Sequence, residues 1–265
     1  RVDVSPDNPV TIHLPVKQHV DDAQMQEFLY EEDNTTRVAA GYPWFYQAWS
    51  RDEIISLHPL MESKASLAKS ILVRAARTGQ GAKSVEGSDL ASADTPGWVA
   101  KRLSQLRDKH GVELTDEEKD VFVNYFETYL SSQTFKDYLV INGELETWMD
   151  TAGDTGDTRR GRRVEIQAGL LAILDILDDL SDQDYHRRYV KTKQHVQRLL
   201  VDNGILHDGY VDGGVDDTVR PNVFLAYYLH DNMVKDAAWR QTFNAVIDAC
   251  WLSWGGFSSI GQDHE

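Results

Sequence analysis

Residues 41–52 read Gly-Tyr-Pro-Trp-Phe-Tyr-Gln-Ala-Trp-Ser-Arg-Asp. Aromatic rings at Tyr42, Trp44, Phe45, Tyr46 and Trp49 stand beside the guanidinium of Arg51 and the carboxylate of Asp52. That mixture suits a pyranose, whose C–H faces stack on aromatic rings and whose rim of hydroxyls needs charged or bidentate hydrogen-bonding partners. The plain alternative is a buried aromatic turn in which Arg51 and Asp52 pair with each other.

The elements that would carry these residues are helical. Ser50 and Glu53 form an S-x-x-E capping box, which predicts a helix bearing Ile54, Ile55, Leu57 and Leu60 and places Arg51-Asp52 at its N-terminus. A second helix is expected over Ser66–Arg77, then a Gly/Ser-rich loop over Thr78–Ala93. Thr95 as cap and Pro96 in the first turn predict a helix to about Lys109, and Thr115 with Glu118 opens another. A polar loop after Asp150 leads to the apolar-faced helix Val164–Leu180, followed by helices over Gln183–Val201, Val223–Leu229 and Ala237–Trp254. His207–Thr218 reads as an acidic, glycine-bearing loop. Before these elements, residues 1–33 form a lead-in with Pro6, Pro9, Pro15 and a strand-like Val10, Ile12, Leu14 alternation, and residues 34–265 form one domain. The pattern is an all-α domain of antiparallel hairpins.

Composition narrows the function classes. The 265 residues carry 43 acidic and 27 basic side chains, a net charge of −16, which opposes nucleic acid or anionic membrane as partner. Asp (29) is twice as frequent as Glu (14), and Arg (16) exceeds Lys (11), a balance that fits a high-salt setting as well as an ordinary acidic one. No apolar run approaches a membrane span and no signal pattern opens the chain, so a cytoplasmic protein is expected. The single cysteine, Cys250, lies in an apolar helical run and reads as core. Asp208, Asp212 and Asp216 are four apart, wrong for an EF-hand. Gly79-Gln80-Gly81 lacks the rest of a dinucleotide fingerprint, and zinc and serine-hydrolase signatures are missing from the sequence. No cofactor is expected.

Four strings occur in order across about two hundred residues: Tyr42-Pro43-Trp44-Phe45 through Trp49-Ser50-Arg51-Asp52; Thr147-Trp148-Met149-Asp150; Val164-Glu165-Ile166-Gln167-Ala168; and Arg220-Pro221-Asn222. In these the chain resembles the C-terminal glucosidase domain of glycogen debranching enzymes and, more distantly, the glucoamylases. The resemblance implies an (α/α)6 toroid with its sugar pocket at one end and an α-glucan or glucosyl oligosaccharide as partner. Trp49, Arg51 and Asp52 match the element that grips the non-reducing glucose. Tyr42, Trp44 and Phe45 match the pocket wall, joined by Trp148. Asp94 and Trp98 match an Asp followed by a pocket Trp. Asp150 matches the general acid, and Glu165, Gln167, Arg220 and Asn222 match lining positions.

Chemistry asks for the same acid: glycoside cleavage needs a protonated carboxyl beside the leaving oxygen and a second carboxylate across the sugar. Trp148 and Met149 supply apolar bulk that favours a protonated Asp150, unless Asp150 merely caps a turn. The second carboxylate has no matching string. In the family it lies well downstream of Arg-Pro-Asn, and about eight or nine helices are readable where a toroid has twelve. The expectation is a toroid incomplete at the C-terminus, either a fragment of a longer enzyme that a further domain or subunit completes or a shortened homologue that has lost the base, with Glu165, Asp216 and Asp217 as substitute candidates inside the chain. The functions expected are an inverting hydrolase of α-1,6 branch points, a glucoamylase-like α-glucosidase, or a carbohydrate-binding or assembly module without turnover.

Overall fold

The computed structural model describes residues 26–79, 92–150 and 158–263. The proline-bearing stretch before residue 26, most of the Gly/Ser-rich loop, and residues 151–157 of the polar loop lie outside the described residues. The chain opens with the hairpin β1 (Leu29–Glu32) and β2 (Thr35–Val38). The expected boundary at 33/34 falls in the turn of this hairpin, where Asp33 and Asn34 both take positive φ, so lead-in and helical body share an element.

Next comes α1 (Ser50–Arg77), which is two rods rather than one. Lys64 leaves the helical region at φ −138° and ψ 53°, between arms at 50–63 and 65–77. Glu53 Oε2 accepts from Arg74 Nη2 at 2.7 Å. Twenty-one residues of straight helix would separate them by about 31 Å, so the second arm folds back along the first, matching the two helices expected there. The capping box expected at Ser50 does not form. Trp49 takes the N-cap position without a side-chain cap. Glu53 turns inward instead, accepting from the Val38 amide at 3.0 Å, from Arg37 and from Arg74. A buried carboxylate with three donors gains more than an end cap in water. Thr115 and Glu118 do make their box, at 3.2 and 2.8 Å, and start α3 (Asp116–Ser132).

Between them α2 (Thr95–Asp108) begins with Pro96 in its first turn, as expected, although Asp94 rather than Thr95 holds the cap position. Arg102 of α2 ties it to α1. Pro59 has no N–H, which leaves the Ile55 carbonyl one turn back without its helical donor. Arg102 Nη2 supplies one at 2.7 Å, and its Nε reaches the Ile54 carbonyl at 3.1 Å. After the short hairpin β3 (Thr134–Lys136) and β4 (Leu139–Ile141), the two-residue strand β5 (Arg162–Arg163) leads into α4 (Val164–Leu180). This helix is buried nearly all round, with Leu170, Leu171, Ile173, Leu174 and Leu177 wholly inside. Each such side chain contributes roughly 2 kcal/mol of burial. At the crossing of α2 and α4, Gly97 meets Gly169 so closely that a Cβ on Gly97 would lie 2.6 Å from the Gly169 Cα.

The remaining elements are α5 (His186–Leu199), the hairpins β6 (Val201–Asp202) with β7 (Ile205–Leu206) and β8 (Gly209–Val211) with β9 (Gly214–Asp216), α6 (Asn222–Leu229), and α7 (Asp236–Cys250). The acidic loop expected at His207–Thr218 is therefore the β8–β9 hairpin, paired on β5. Helix α5 is shorter than expected at both ends and buries only Thr192 and Val196, as an outer helix does. Among the described helices the arms of α1, α4 with α5, and α6 with α7 pack as consecutive hairpins, while α2 packs on α1 and α4, and α3 packs on α1 and α4 rather than on its chain neighbour α2. The fold is the expected all-helical hairpin class. No described helix is long and apolar enough to cross a membrane.

Candidate active site

The first arm of α1 and helices α2, α4 and α6 start at one end of the molecule. Arg51 of α1 lies 3.6 Å from Asp94 at the start of α2. Gly97 meets Gly169 near the starts of α2 and α4, and Asn222, first residue of α6, donates to Glu165 of α4 at 2.8 Å. Four helix N-termini thus converge, each with a positive end of its backbone dipole, and carboxylates gather there.

Arg51 is the hub. Its Nη2 donates to Asp150 Oδ2 at 2.8 Å and its Nη1 to the Thr147 carbonyl at 3.1 Å. Burial alone would lower the pKa of this guanidinium, but Asp94, Asp150 and Asp52 outweigh it and hold the group above its ordinary value, so it stays cationic. Asp94 is wholly buried; Ser92 Oγ donates to its Oδ1, and burial pushes its carboxyl above the usual range against the pull of Arg51. The Asp150 side chain is 29% exposed and stands at the mouth of this group. Arg51, Asp94 and Asp150 are therefore brought together as the sequence implied, with Asp52 half-buried beside them.

The aromatic stretch is an exposed rim rather than a buried turn. Trp44 is 79% exposed, and Phe45, Tyr46 and Trp148 are also open. Tyr42 stacks on Phe28 at 4.8 Å and donates to the Glu27 carbonyl, which anchors the rim to the residues before β1. Trp49 lies half-buried with its ring edge-on to Phe45, and its Nε1–H is enclosed without a hydrogen-bond partner among the described residues. That donor is available to an oxygen placed beside it.

Other expected lining residues are held elsewhere. Trp98 is 4% exposed and packs in the core against Tyr228, with Arg102 over its ring. Gln167 gives its amide to the backbone, exchanging bonds with Val140 N at 3.0 Å and Val140 O at 2.9 Å, which pins β4 to α4. Glu165 is gripped by both Nη atoms of Arg159, at 2.5 and 3.2 Å. Burial opposes its charge, yet Arg159 and Asn222 win and keep its carboxyl below the usual range. Arg159 also donates to Asp208 at 2.7 Å and to Thr147 Oγ1 at 3.0 Å. Arg163 binds Asp208 at 3.0 Å and Asp216, while Arg220 lies 3.9 Å from Asp208 and donates to the Ser259 carbonyl. The result is a buried charge lattice behind the open group, and Thr147 belongs to both.

Sequence reading passed over Arg159, Arg163, Asp208 and Thr147 as working parts. The run Arg159-Arg160-Gly161-Arg162-Arg163 was the available signal: four cations before an apolar helix in an acidic chain. A cavity of about 610 Å³ lies between the end of α1 and α3, lined by Ser92, Pro96, Tyr125 and Tyr129; it meets this group at Ser92, the donor to Asp94, but Arg51, Asp94 and Asp150 do not line it.

A solved structure described as "Glycosidase Wild Type" superposes with a TM-score of 0.60 over 91% of this chain and 71% of that chain, at 13% identity, a likeness of fold. No curated protein matches the chain. The family described as Amylo-alpha-1,6-glucosidase matches residues 16–85 and 90–264, and the chain belongs to that family.

Proposed function

We propose that the protein is an inverting glycoside hydrolase that removes glucose from α-1,6 branch points of glycogen or a related α-glucan. The observation that carries this is Asp150, partly open to solvent, bonded to Arg51 within a group of carboxylates at the helix N-termini of an amylo-alpha-1,6-glucosidase family chain. In this reading Asp150 protonates the leaving oxygen. Arg51 and Asp52 hold glucose hydroxyls, Trp49 donates its enclosed N–H, and Trp44, Phe45 and Trp148 offer rings to the sugar faces. Arg51 stabilises a carboxylate rather than a carboxylic acid, so the substrate must draw Arg51 away before Asp150 can act as an acid.

The second carboxylate supports a second reading. Glu165 and Asp216, the in-chain substitutes, are held by Arg159 and Arg163, and Asp217 is exposed on the β8–β9 side. A carboxylate locked to arginine is a poor base, because it does not take up a proton readily. The base then comes from outside the described residues, or the chain binds glucan without cleaving it. The deciding experiment is glucose release from a glycogen limit dextrin, with maltose and isomaltose in parallel, for the wild type and Asp150→Asn. Release from the branched substrate that Asp150→Asn abolishes, with sugar affinity retained, is the expected result. Wild-type turnover in the variant rules out the acid, and affinity without turnover in both leaves the binding module.

A further inference from the structure

The segment 147–150 that carries the acid is held at its root from two sides. Thr147 is fully buried; its carbonyl accepts from Arg51 and its hydroxyl from Arg159. The strands below are zipped, with Asn142 and Gly161 exchanging both backbone bonds and the Leu145 amide donating to the Thr158 carbonyl at 2.9 Å. Thr147 also donates its hydroxyl to the Met149 carbonyl at 3.3 Å, so it holds the segment three residues before the carboxyl that Arg51 grips directly.

Arg159 is itself fixed to an unusual degree. Its side chain is held by Glu165 and Asp208. Its carbonyl accepts from Asn142 Nδ2 at 2.8 Å and Arg163 Nε at 3.1 Å. Its backbone sits at φ 52°, a left-handed conformation that costs a residue with a side chain roughly 1–2 kcal/mol. The two carboxylates take three of the four Nη–H donors and the Thr147 hydroxyl takes the fourth, with the backbone held left-handed. Both features are explained if its fork must meet Thr147 at one fixed place.

We propose that Arg159 is a positioning residue for the acid: through Thr147 Oγ1, and opposite Arg51 on the Thr147 carbonyl, it sets where Asp150 stands against the scissile bond. The proposal rests on the reading of Asp150 as the acid. Glu165 and Asp208 then serve the reaction at one remove, as the mount of Arg159.

The test uses Thr147→Val, which keeps the shape and removes both the acceptor for Arg159 and the donor to the Met149 carbonyl, and Thr147→Ser, which keeps the hydroxyl. It also uses Arg159→Lys, which leaves the Met149 bond in place, keeps the charge and loses the fork, so that a wild-type Arg159→Lys overturns the proposal even where Thr147→Val is impaired. Misplacing a reacting group by an ångström costs about 10²-fold in rate. Thr147→Val and Arg159→Lys should therefore lose kcat on limit dextrin on that order with KM little changed, and Thr147→Ser should recover it. Hydrogen exchange at the amides of 148–150 gives a readout free of turnover, faster in Thr147→Val and unchanged in Thr147→Ser. Wild-type kcat and exchange in Thr147→Val overturn the proposal, as does an equal loss in Thr147→Ser. A dead Asp150→Asn beside a wild-type-like Thr147→Val removes the proposal alone, whereas an active Asp150→Asn removes the acid assignment and the proposal with it.

Discussion

Arg159 divides its donors between Glu165, Asp208 and Thr147, and the charges around it set how the protein responds to acid. Glu165 lies below its usual range in the fold, so its contribution is fully present above the unfolded carboxylate value of about 4.3 and is lost as pH falls through the folded value. Asp216 behaves likewise, because Thr218 and Arg163 outweigh its burial. Asp94 and Asp208 have raised values dominated by burial, and they act with the opposite sign, favouring the fold at lower pH. Glu165→Gln isolates the first contribution. At neutral pH it leaves Arg159 short of a carboxylate and should cost on the order of 3 kcal/mol. The gap in denaturation midpoint from the wild type should begin to narrow below the unfolded carboxylate value of about 4.3 and close as pH falls through the lower folded value, where Glu165 is itself protonated; a gap independent of pH would remove the charge argument. At this scale Arg51, Asp52 and Asp150 were legible because each stands in a short string. Arg159 and Asp208 were not, since the bond joining them spans 49 residues and nothing local marks either as buried.

The hairpins hold these residues in register through backbone contact. At the crossing of α2 and α4, a methyl on Gly169 would lie 3.1 Å from the Gly97 Cα, and one on Gly97 closer still. Backbone cannot rotate aside, so the helices must part. Alanine is the better helix former by about 1 kcal/mol, yet Gly97→Ala should still destabilise by about 1–3 kcal/mol of overpacking. It should also weaken catalysis, because Asp94 sits one turn from the contact. Thermal melts read the first effect; a midpoint at or above that of the wild type would show the crossing to be looser than drawn. Element boundaries were readable where local chemistry decides them, as with the Thr115–Glu118 box. The same string at Ser50–Glu53 misled, because Arg37, Val38 and Arg74 compete for the glutamate and win.

Across the whole molecule the net charge of −16 is a self-repulsion that salt relieves. The Debye length grows from about 3 Å at 1 M to about 30 Å at 0.01 M, so surface carboxylates that ignore one another in brine repel in dilute buffer. The midpoint of unfolding should fall steadily as salt is withdrawn, and a midpoint indifferent to salt would mean that the Asp-rich surface carries no adaptation. The hairpin architecture was visible in the succession of helices. Which helix packs on which was not, because those contacts join elements far apart in the chain.

The same separation governs the order of assembly. Each rod of α1 finds its partner within about twenty residues, as Glu53 and Arg74 do, whereas Arg51 reaches Thr147 and Asp150 across 96 and 99 residues. Closing short loops is fast and long ones slow. Helical hairpins can therefore zip on their own while the guanidinium at their shared end waits for the segment 147–150 to dock. The chain acquires its shape first and its chemistry last.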